Sequence, residues 1–173
     1  MASILETDRL TLCELRADDA QFILELLNDS SFLRHIGDKN VRTLDGARDY
    51  IANGPVDSYA RHGFGLYLVK LKNNEGTPIG ICGLVKRDAL EDVDIGYAFL
   101  PEFRKQGFAV EAAGATLEYG LTVLGLVRIV AVTSLDNEAS ARLLDRLGMK
   151  FERMVNLPED GDECRLFATG GEC

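Results

Sequence analysis

Between Asp92 and Val132 the spacing of apolar residues changes twice, and this restricts the fold more than any other feature of the chain. Asp92 to Leu100 reads as a strand that closes at Pro101. Beyond a short loop, Val110, Ala113, Leu117, Leu121 and Leu124 recur at intervals of three and four, the stripe of a helix, and Gly125 ends it. Val127 to Val132 is then a continuous, mostly β-branched apolar run, as a buried strand requires. Strand, helix and buried strand in succession make this a mixed α/β domain.

The flanks extend the pattern. Arg9 to Leu15 alternates apolar and polar residues and reads as a strand. Asp18 resembles a helix cap ahead of Phe22, Ile23, Leu26 and Leu27. A second helical region covers Leu44 to Ala60, broken near Gly54-Pro55. Phe64 to Leu71 and Pro78 to Val85 flank the turn signal Asn73-Asn-Glu-Gly76 and read as a hairpin. Asn137 caps a helix containing Ala141, Leu144 and Leu147, stopped by Gly148. Phe151 to Leu157 and Glu163 to Ala168 form a last hairpin around the acidic loop Glu159–Glu163. The expected order is βααβββαβαββ.

No repeat, low-complexity tract or linker divides the 173 residues, so residues 1–173 are expected to form one domain. A chain of this length buries roughly 70% of its unfolded surface, enough for a core without metal or disulfide staples. The net charge of −9 argues against general nucleic-acid binding, which concentrates positive charge against phosphates. Cys13, Cys82, Cys164 and Cys173 lie far apart, with no CxxC pair and no zinc spacing, so no metal is expected and free thiols in a reducing compartment are the simpler reading. No apolar run approaches the ~20 residues of a membrane span, and the N-terminus lacks a signal peptide's apolar stretch. The expectation is a soluble, cytoplasmic protein. Its oligomeric state is not legible.

Chemistry concentrates in Asp94-Ile-Gly-Tyr-Ala-Phe-Leu-Pro-Glu-Phe-Arg-Lys-Gln-Gly-Phe-Ala-Val-Glu-Ala-Ala113, where a strand enters a loop and the loop opens a helix. Arg104, Lys105, Gly107 and Ala109 fall at that helix start. Free N–H groups and about half a positive charge from the helix dipole make such a place an anion site. Gly107 lets the backbone curl close to a phosphate, and Ala109 keeps bulk away. Neither the Walker pattern nor GxGxxG is present. Alone, RxxGxA also describes a plain basic helix start on a turn.

Three segments in order carry a resemblance. Arg104-Lys-Gln-Gly-Phe-Ala109 resembles the (Q/R)xxGx(G/A) pyrophosphate loop of the GNAT acetyltransferase superfamily, preceded by Asp94-Ile-Gly-Tyr97 and Leu100-Pro101, which resemble its fourth strand. Asn137-Glu-Ala-Ser-Ala-Arg-Leu-Leu-Asp-Arg-Leu-Gly-Met149 is similar to its NxxSxxxxxKxGF segment. Leu5-Glu-Thr-Asp-Arg-Leu-Thr-Leu12 resembles the ETxRLxL start of the branch that includes ribosomal-protein N-terminal acetyltransferases.

The resemblance implies a single-domain mixed sheet with a central splay between two parallel strands and helices on both faces, and acetyl-CoA lying in the splay as co-substrate. Backbone groups near Phe99 and Leu100 would hold the pantetheine and polarise the thioester carbonyl. The amides of Arg104, Lys105, Gln106, Gly107, Phe108 and Ala109 would hold the pyrophosphate. Asn137 would bond the pantetheine arm, and Arg146 would meet a cofactor phosphate. Asp94 stands at the fourth-strand position where many relatives carry Glu, so it could take the amine proton through water, or be a solvated strand carboxylate. Ser140 could protonate the leaving thiolate, or bond the cap of its own helix. The tyrosine that many relatives place further along this helix is replaced by Leu144, and Met149 replaces a usual phenylalanine.

Other candidates are weaker. His35 and His62 read as surface histidines before they read as bases, and Cys82 reads as core packing. The acidic loop Glu159–Glu163 could touch an acceptor. The leading expectation is transfer of an acetyl group from CoA directly to a primary amine, possibly a protein N-terminal α-amine. The alternatives are an acyl-CoA-sensing module without turnover, and an acetyltransferase for a small cationic amine such as a polyamine or aminoglycoside. The acidic balance of the chain suits cationic acceptors in general.

Overall fold

A computed structural model describes residues 2–73, 75–158 and 161–170. Eight strands form one sheet in the order β1-β2-β3-β4-β5-β6-β8-β7. They are β1 (Ser3–Glu6), β2 (Leu10–Glu14), β3 (Leu66–Leu71), β4 (Pro78–Val85), β5 (Val93–Phe99), β6 (Ile129–Ser134), β7 (Lys150–Asn156) and β8 (Glu163–Ala168). Every neighbouring pair is antiparallel except β5 and β6, which run parallel. The helices are α1 (Ala20–Leu27), α2 (Ser30–His35), α3 (Leu44–Ile51), α4 (Asp57–His62), α5 (Phe108–Thr122) and α6 (Glu138–Arg146).

The two faces of the sheet carry different helices, and strand period assigns the side chains. Tyr67 and Val69 of β3 and Cys82 and Leu84 of β4 point to the face covered by α5 and α6. Leu68 and Ile81, one residue out of phase, point to the face covered by α1, α2 and α3. On that second face Ile23, Leu26 and Leu27 of α1 are at most 1% exposed, and each contributes on the order of 2 kcal/mol by burial. A smaller cluster of Leu90, Val130, Val155, Leu157, Cys164, Leu166 and Ala168 closes the β6–β8–β7 end.

Three local expectations need correction. Asp18 caps nothing: the turn at Ala17–Asp19 is 3-10, and it is the Asp19 carboxylate that accepts the Arg16 N–H at 2.8 Å. The break at Gly54-Pro55 is a π-helical turn over Ala52–Val56, which takes up a proline without an N–H and joins α3 to α4. β1 and α2 were not expected. α2 is under two turns long, and its signal is the Asp29 carboxylate, which accepts the N–H groups of Ser31 and Phe32. Cys13 and Cys82 are buried free thiols and Cys164 is buried, whereas Cys173 and the loop residues Glu159 and Asp160 lie outside the described residues. Among the described residues no helix is long and apolar enough to cross a membrane.

Candidate functional site

The parallel pair barely holds together. β5 and β6 match only at Val93↔Ile129 and Asp94↔Val130, at their first residues, and diverge beyond. Gly96, Tyr97 and Ala98 are therefore only half-buried, although they lie in the middle of an eight-stranded sheet. The splay is lined by backbone. Leu100 donates its N–H to the Ile79 carbonyl at 3.0 Å, so the alternation of an antiparallel ladder turns Ala98 and Gly96 toward β4 as well. The amides of Tyr97 and Phe99 then face the gap.

The Leu100 N–H is turned to β4, and its carbonyl accepts the Phe103 N–H at 3.0 Å. Phe99 keeps its amide toward the gap, while its carbonyl accepts Arg104 Nε at 3.1 Å and a terminal nitrogen at 2.8 Å.

The loop after β5 leads into the start of α5. Lys105 and Gly107 both take left-handed backbone, with φ of +61° and +85°. The lysine stores on the order of 1–2 kcal/mol of strain there, of a kind that clusters at functional sites. The first amide of α5 to find a helical partner is Glu111, bonded to the Gly107 carbonyl, so the amides ahead of it remain outside the helical ladder. Gly107 is required twice: for its positive φ, and because a Cβ would stand 3.2 Å from a terminal nitrogen of Arg9.

Arg9 is the residue that local sequence could not place here. It crosses from the start of β2 to stack on the Phe108 ring at 4.3 Å and to donate to the Gln106 carbonyl at 3.0 Å. Glu111 holds it, with Arg9 Nε to Oε2 at 2.7 Å. Lys105 and Gln106 are exposed, Phe108 is buried and Ala109 is half-buried. Arg104 departs from the simple anion-site picture. Its guanidinium turns inward to Phe99, to Ser31 Oγ at 3.0 Å and to Asp29 at 2.8 Å. Its side chain ties α2 to the end of β5, and its amide donates to the Pro101 carbonyl at 3.2 Å, so the amides that remain open begin at Lys105.

α2 thereby spans the open end of the splay. Asp29 at its start is bound to the β5 side through Arg104. At its other end Arg34 pairs with Asp136 at 3.0 Å, and His35 Nδ1 lies 3.3 Å from Ser134 Oγ, both beyond β6. His35 is thus a partner of the β6 end. His62 is exposed beside the Phe64 ring and on the edge of the cavity described below, whereas Cys82 is wholly buried against Thr116 and is a packing group.

On the α5/α6 face, the Ser140 hydroxyl meets the Tyr97 hydroxyl at 2.7 Å. Ser140 meets the helix cap through its backbone, donating its N–H to the Asn137 carboxamide oxygen at 3.1 Å, which leaves the hydroxyl to Tyr97. Burial pushes the Tyr97 phenol up to about 12, against the hydrogen bond to Ser140, so it is a protonated donor at neutral pH. Tyr97 was missed, although period 2 along β5 places it on the same face as Ile95 and Phe99. Leu144 and Met149 are core residues, each 1% exposed. Arg146 is exposed at the last turn of α6, whose neighbour Leu147 packs near Gly114, two turns along α5 from the loop.

Asp94 lies on the other face. It is 2% exposed, and both of its oxygens are 3.2 Å from Arg87 Nε. Asp94 is thus not a solvated strand carboxylate but a buried, ion-paired one, on the face of β5 opposite Tyr97 and Ser140. No group of three or more His, Cys, Asp or Glu among the described residues could hold a metal.

The family described as Acetyltransferase (GNAT) domain matches residues 9–150. The N-acetyltransferase YoaA of Bacillus subtilis (strain 168) is 34% identical over 157 residues, covering 90% of this chain and 87% of that protein. Two solved structures share the fold at low identity. RimL, a ribosomal-protein α-N-acetyltransferase in complex with coenzyme A, superposes with a TM-score of 0.82 at 18% identity, covering 96% of this chain and 97% of that one. A Vibrio cholerae–human chimera of the spermidine N-acetyltransferase SpeG gives 0.73 at 17% identity, covering 92% and 94%. One fold therefore serves a protein terminus in one case and a polyamine in the other.

Proposed function

The chain belongs to the GNAT acetyltransferase family, and on that premise we propose that it moves an acetyl group from acetyl-CoA directly to a primary amine, with a peptide-like α-amine as the preferred acceptor. The observation that carries this reading is the splay, where β5 and β6 separate after Asp94 and leave the Phe99 amide facing a half-buried gap.

The residues fit the co-substrate. Free amides at the start of α5, with Lys105 and Arg9 beside them, suit a pyrophosphate in a chain that is otherwise acidic. When bound, the thioester supplies an activated acetyl carbon. The Phe99 amide would donate to the carbonyl oxygen as negative charge grows on it, the arrangement that stabilises acyl transfer most. Asn137 would orient the pantetheine arm through its carboxamide N–H groups, its oxygen being the helix cap. The amine nitrogen bonds to the acetyl carbon, the C–S bond breaks, and the thiolate takes its proton from Ser140. Tyr97 would pass a proton to Ser140 across the 2.7 Å hydrogen bond as Ser140 gives up its own, and would then be reprotonated from solvent. The amine's own proton leaves to water.

The acceptor and the co-substrate are tested together by following release of the CoA thiol from acetyl-CoA across an amine panel. Turnover dependent on an amine is expected. Binding of acetyl-CoA with no release under any amine would instead make the domain a sensor. Ala109→Glu places a carboxylate among the helix-start amides and should abolish acetyl-CoA binding in a folded protein. Calorimetry showing unchanged affinity would remove the cofactor assignment.

A further inference from the structure

A cavity of about 440 Å³ opens on the α1–α3 face, against the lower ends of β3 and β4 and the segment entering β5. Its size is within the range of roughly 300–1,000 Å³ that small-molecule sites occupy. One wall, Val85, pairs with Asp94, and Asp94 pairs with Val130 at the apex of the splay. Above Asp94 on the same face come Gly96 and Ala98, both half-buried; the nearest atom to a Cβ at Gly96 would be Leu66 Cδ2, 3.6 Å away, and Leu66 lines the cavity. The cavity therefore lies next to the gap where the acetyl group would lie, with the Leu66 side chain between them.

The charge of the lining runs against that of the chain. Lys39, Arg61, Lys86 and Arg87 line it, opposed by Asp57 and Asp88, in a protein of net charge −9. Arg61 is paired with Asp57 at 2.9 Å, and Arg87 is held by Asp94. The Lys86 ammonium is fixed by neutral carbonyls, Leu90 at 2.6 Å and Arg87 at 3.0 Å, so its charge is not cancelled. Lys39 is exposed and has no ion pair among the described residues. With those pairs set aside, Lys39 and Lys86 stand against Asp88 alone, so the lining keeps an excess of positive charge and disfavours a polycation.

We propose that this cavity is the acceptor site and that it selects a small primary amine carrying a carboxylate, of the amino-acid class. The proposal rests on the acetyl-transfer reading above. The carboxylate is held by Lys39 and Lys86, and the same positive charges disfavour the acceptor's ammonium form, so they help to release the neutral amine that attacks. The fixed cations thus select the acceptor and aid its deprotonation.

Initial rates with acetyl-CoA are measured for a set of amino acids, their carboxamides and spermidine. The amino acids should exceed their carboxamides in kcat/KM by roughly tenfold, and Lys39→Glu, a substitution in an exposed loop, should collapse that ratio by a similar factor. Equal use of carboxamides, preference for spermidine, or a ratio unchanged by Lys39→Glu overturns the proposal and leaves acetyl transfer standing. If no amine is acetylated, the functional reading fails instead, and the cavity is probed directly by thermal-shift titration with N-acetyl amino acids and their amides. Stabilisation by the carboxylate form alone, lost in Lys39→Glu, then supports the site. No stabilisation, or stabilisation by both forms, overturns it.

Discussion

At the scale of single residues, two hydroxyls and one carboxylate divide the chemistry between the faces of β5. Ser140 and Tyr97 form a hydrogen-bonded pair beside the splay, and Ser140 is the group proposed to serve the reacting sulfur. Ser140→Ala should lower kcat by roughly 10²-fold, at the low end for a lost general acid, with acetyl-CoA affinity little changed. Tyr97→Phe should lower it less, because Ser140 can still exchange its proton with water. Steady-state kinetics on both variants check this, and equal kcat in Ser140→Ala and the parent would remove Ser140 from the proton path. Asp94 separates two hypotheses through different observables. As a buried partner of Arg87, it should cost about 1–3 kcal/mol of stability when changed to Asn, since the charged contact between the carboxylate and the guanidinium is lost. As a base, it should instead cost roughly 10²–10⁴ in kcat at unchanged stability. We expect the first result, read from urea titration alongside the pH profile of kcat. The sequence marked Ser140 and Asp94 but could not tell their faces apart. Strand period alone would have separated them, because Tyr97 is three residues from Asp94 and so projects to the opposite side.

At the scale of elements, the helix start of α5 is made by segments far apart in the chain. The Thr7 hydroxyl, the Arg9 amide and the Arg9 guanidinium all converge on the Glu111 carboxylate, at 2.5 Å, 2.9 Å and 2.7 Å. Burial raises the Glu111 carboxyl, but these donors outweigh it and hold the group below the usual carboxylate range. The sign follows directly. A depressed folded pKa gives stability that is full above the unfolded value, about 4.3, and is lost as pH falls through the folded value. Glu111→Gln should therefore destabilise by about 1–2 kcal/mol at pH 7, the charged hydrogen bonds being discounted for an Arg9 side chain nearly half in solvent. The difference should shrink below about pH 4. Urea titrations at the two pH values test it, and a gap that persists at low pH would show that shape, not charge, is what Glu111 supplies. The long-range character of this cluster explains what was legible. RxxGxA and the α5 stripe are local and could be read directly, whereas Arg9 and α2 are defined by contacts about a hundred residues away. α2 is too short to hold itself: its ends are anchored by Arg104 and Asp136.

At the scale of the molecule, net charge is a poor guide to the acceptor. The acidic total suggested cationic substrates in general, yet the cavity reverses the sign locally, because its bases lie on loops that the fold gathers at one end of the sheet. Fold likeness is equally silent, since similar folds serve both a ribosomal protein and spermidine. What remains is the cost of the proton. An amine attacks only when neutral, and ordinary pKa values are ~7.8 for an α-amino group and ~10.4 for lysine, so at pH 7 deprotonation costs about 1 and about 4.6 kcal/mol. The structure has little to offset the larger figure. Asp94 is closed by Arg87, His35 is occupied at the end of β6, and Tyr97, pushed up to about 12 by burial, holds its own proton. Fixed cations around an acceptor ammonium lower its pKa, but they do so for both amines and leave the gap between them. A matched pair of lysyl peptides, one blocked at the α-amine and the other at the ε-amine, should therefore be acetylated faster at the free α-amine. The advantage should shrink as pH rises from 7 toward 10, because the lysine amine then reaches its neutral form without help. Mass spectrometry of the two products across that range checks both statements, and faster ε-acetylation at pH 7 would mean that the protein carries a base not seen in the splay.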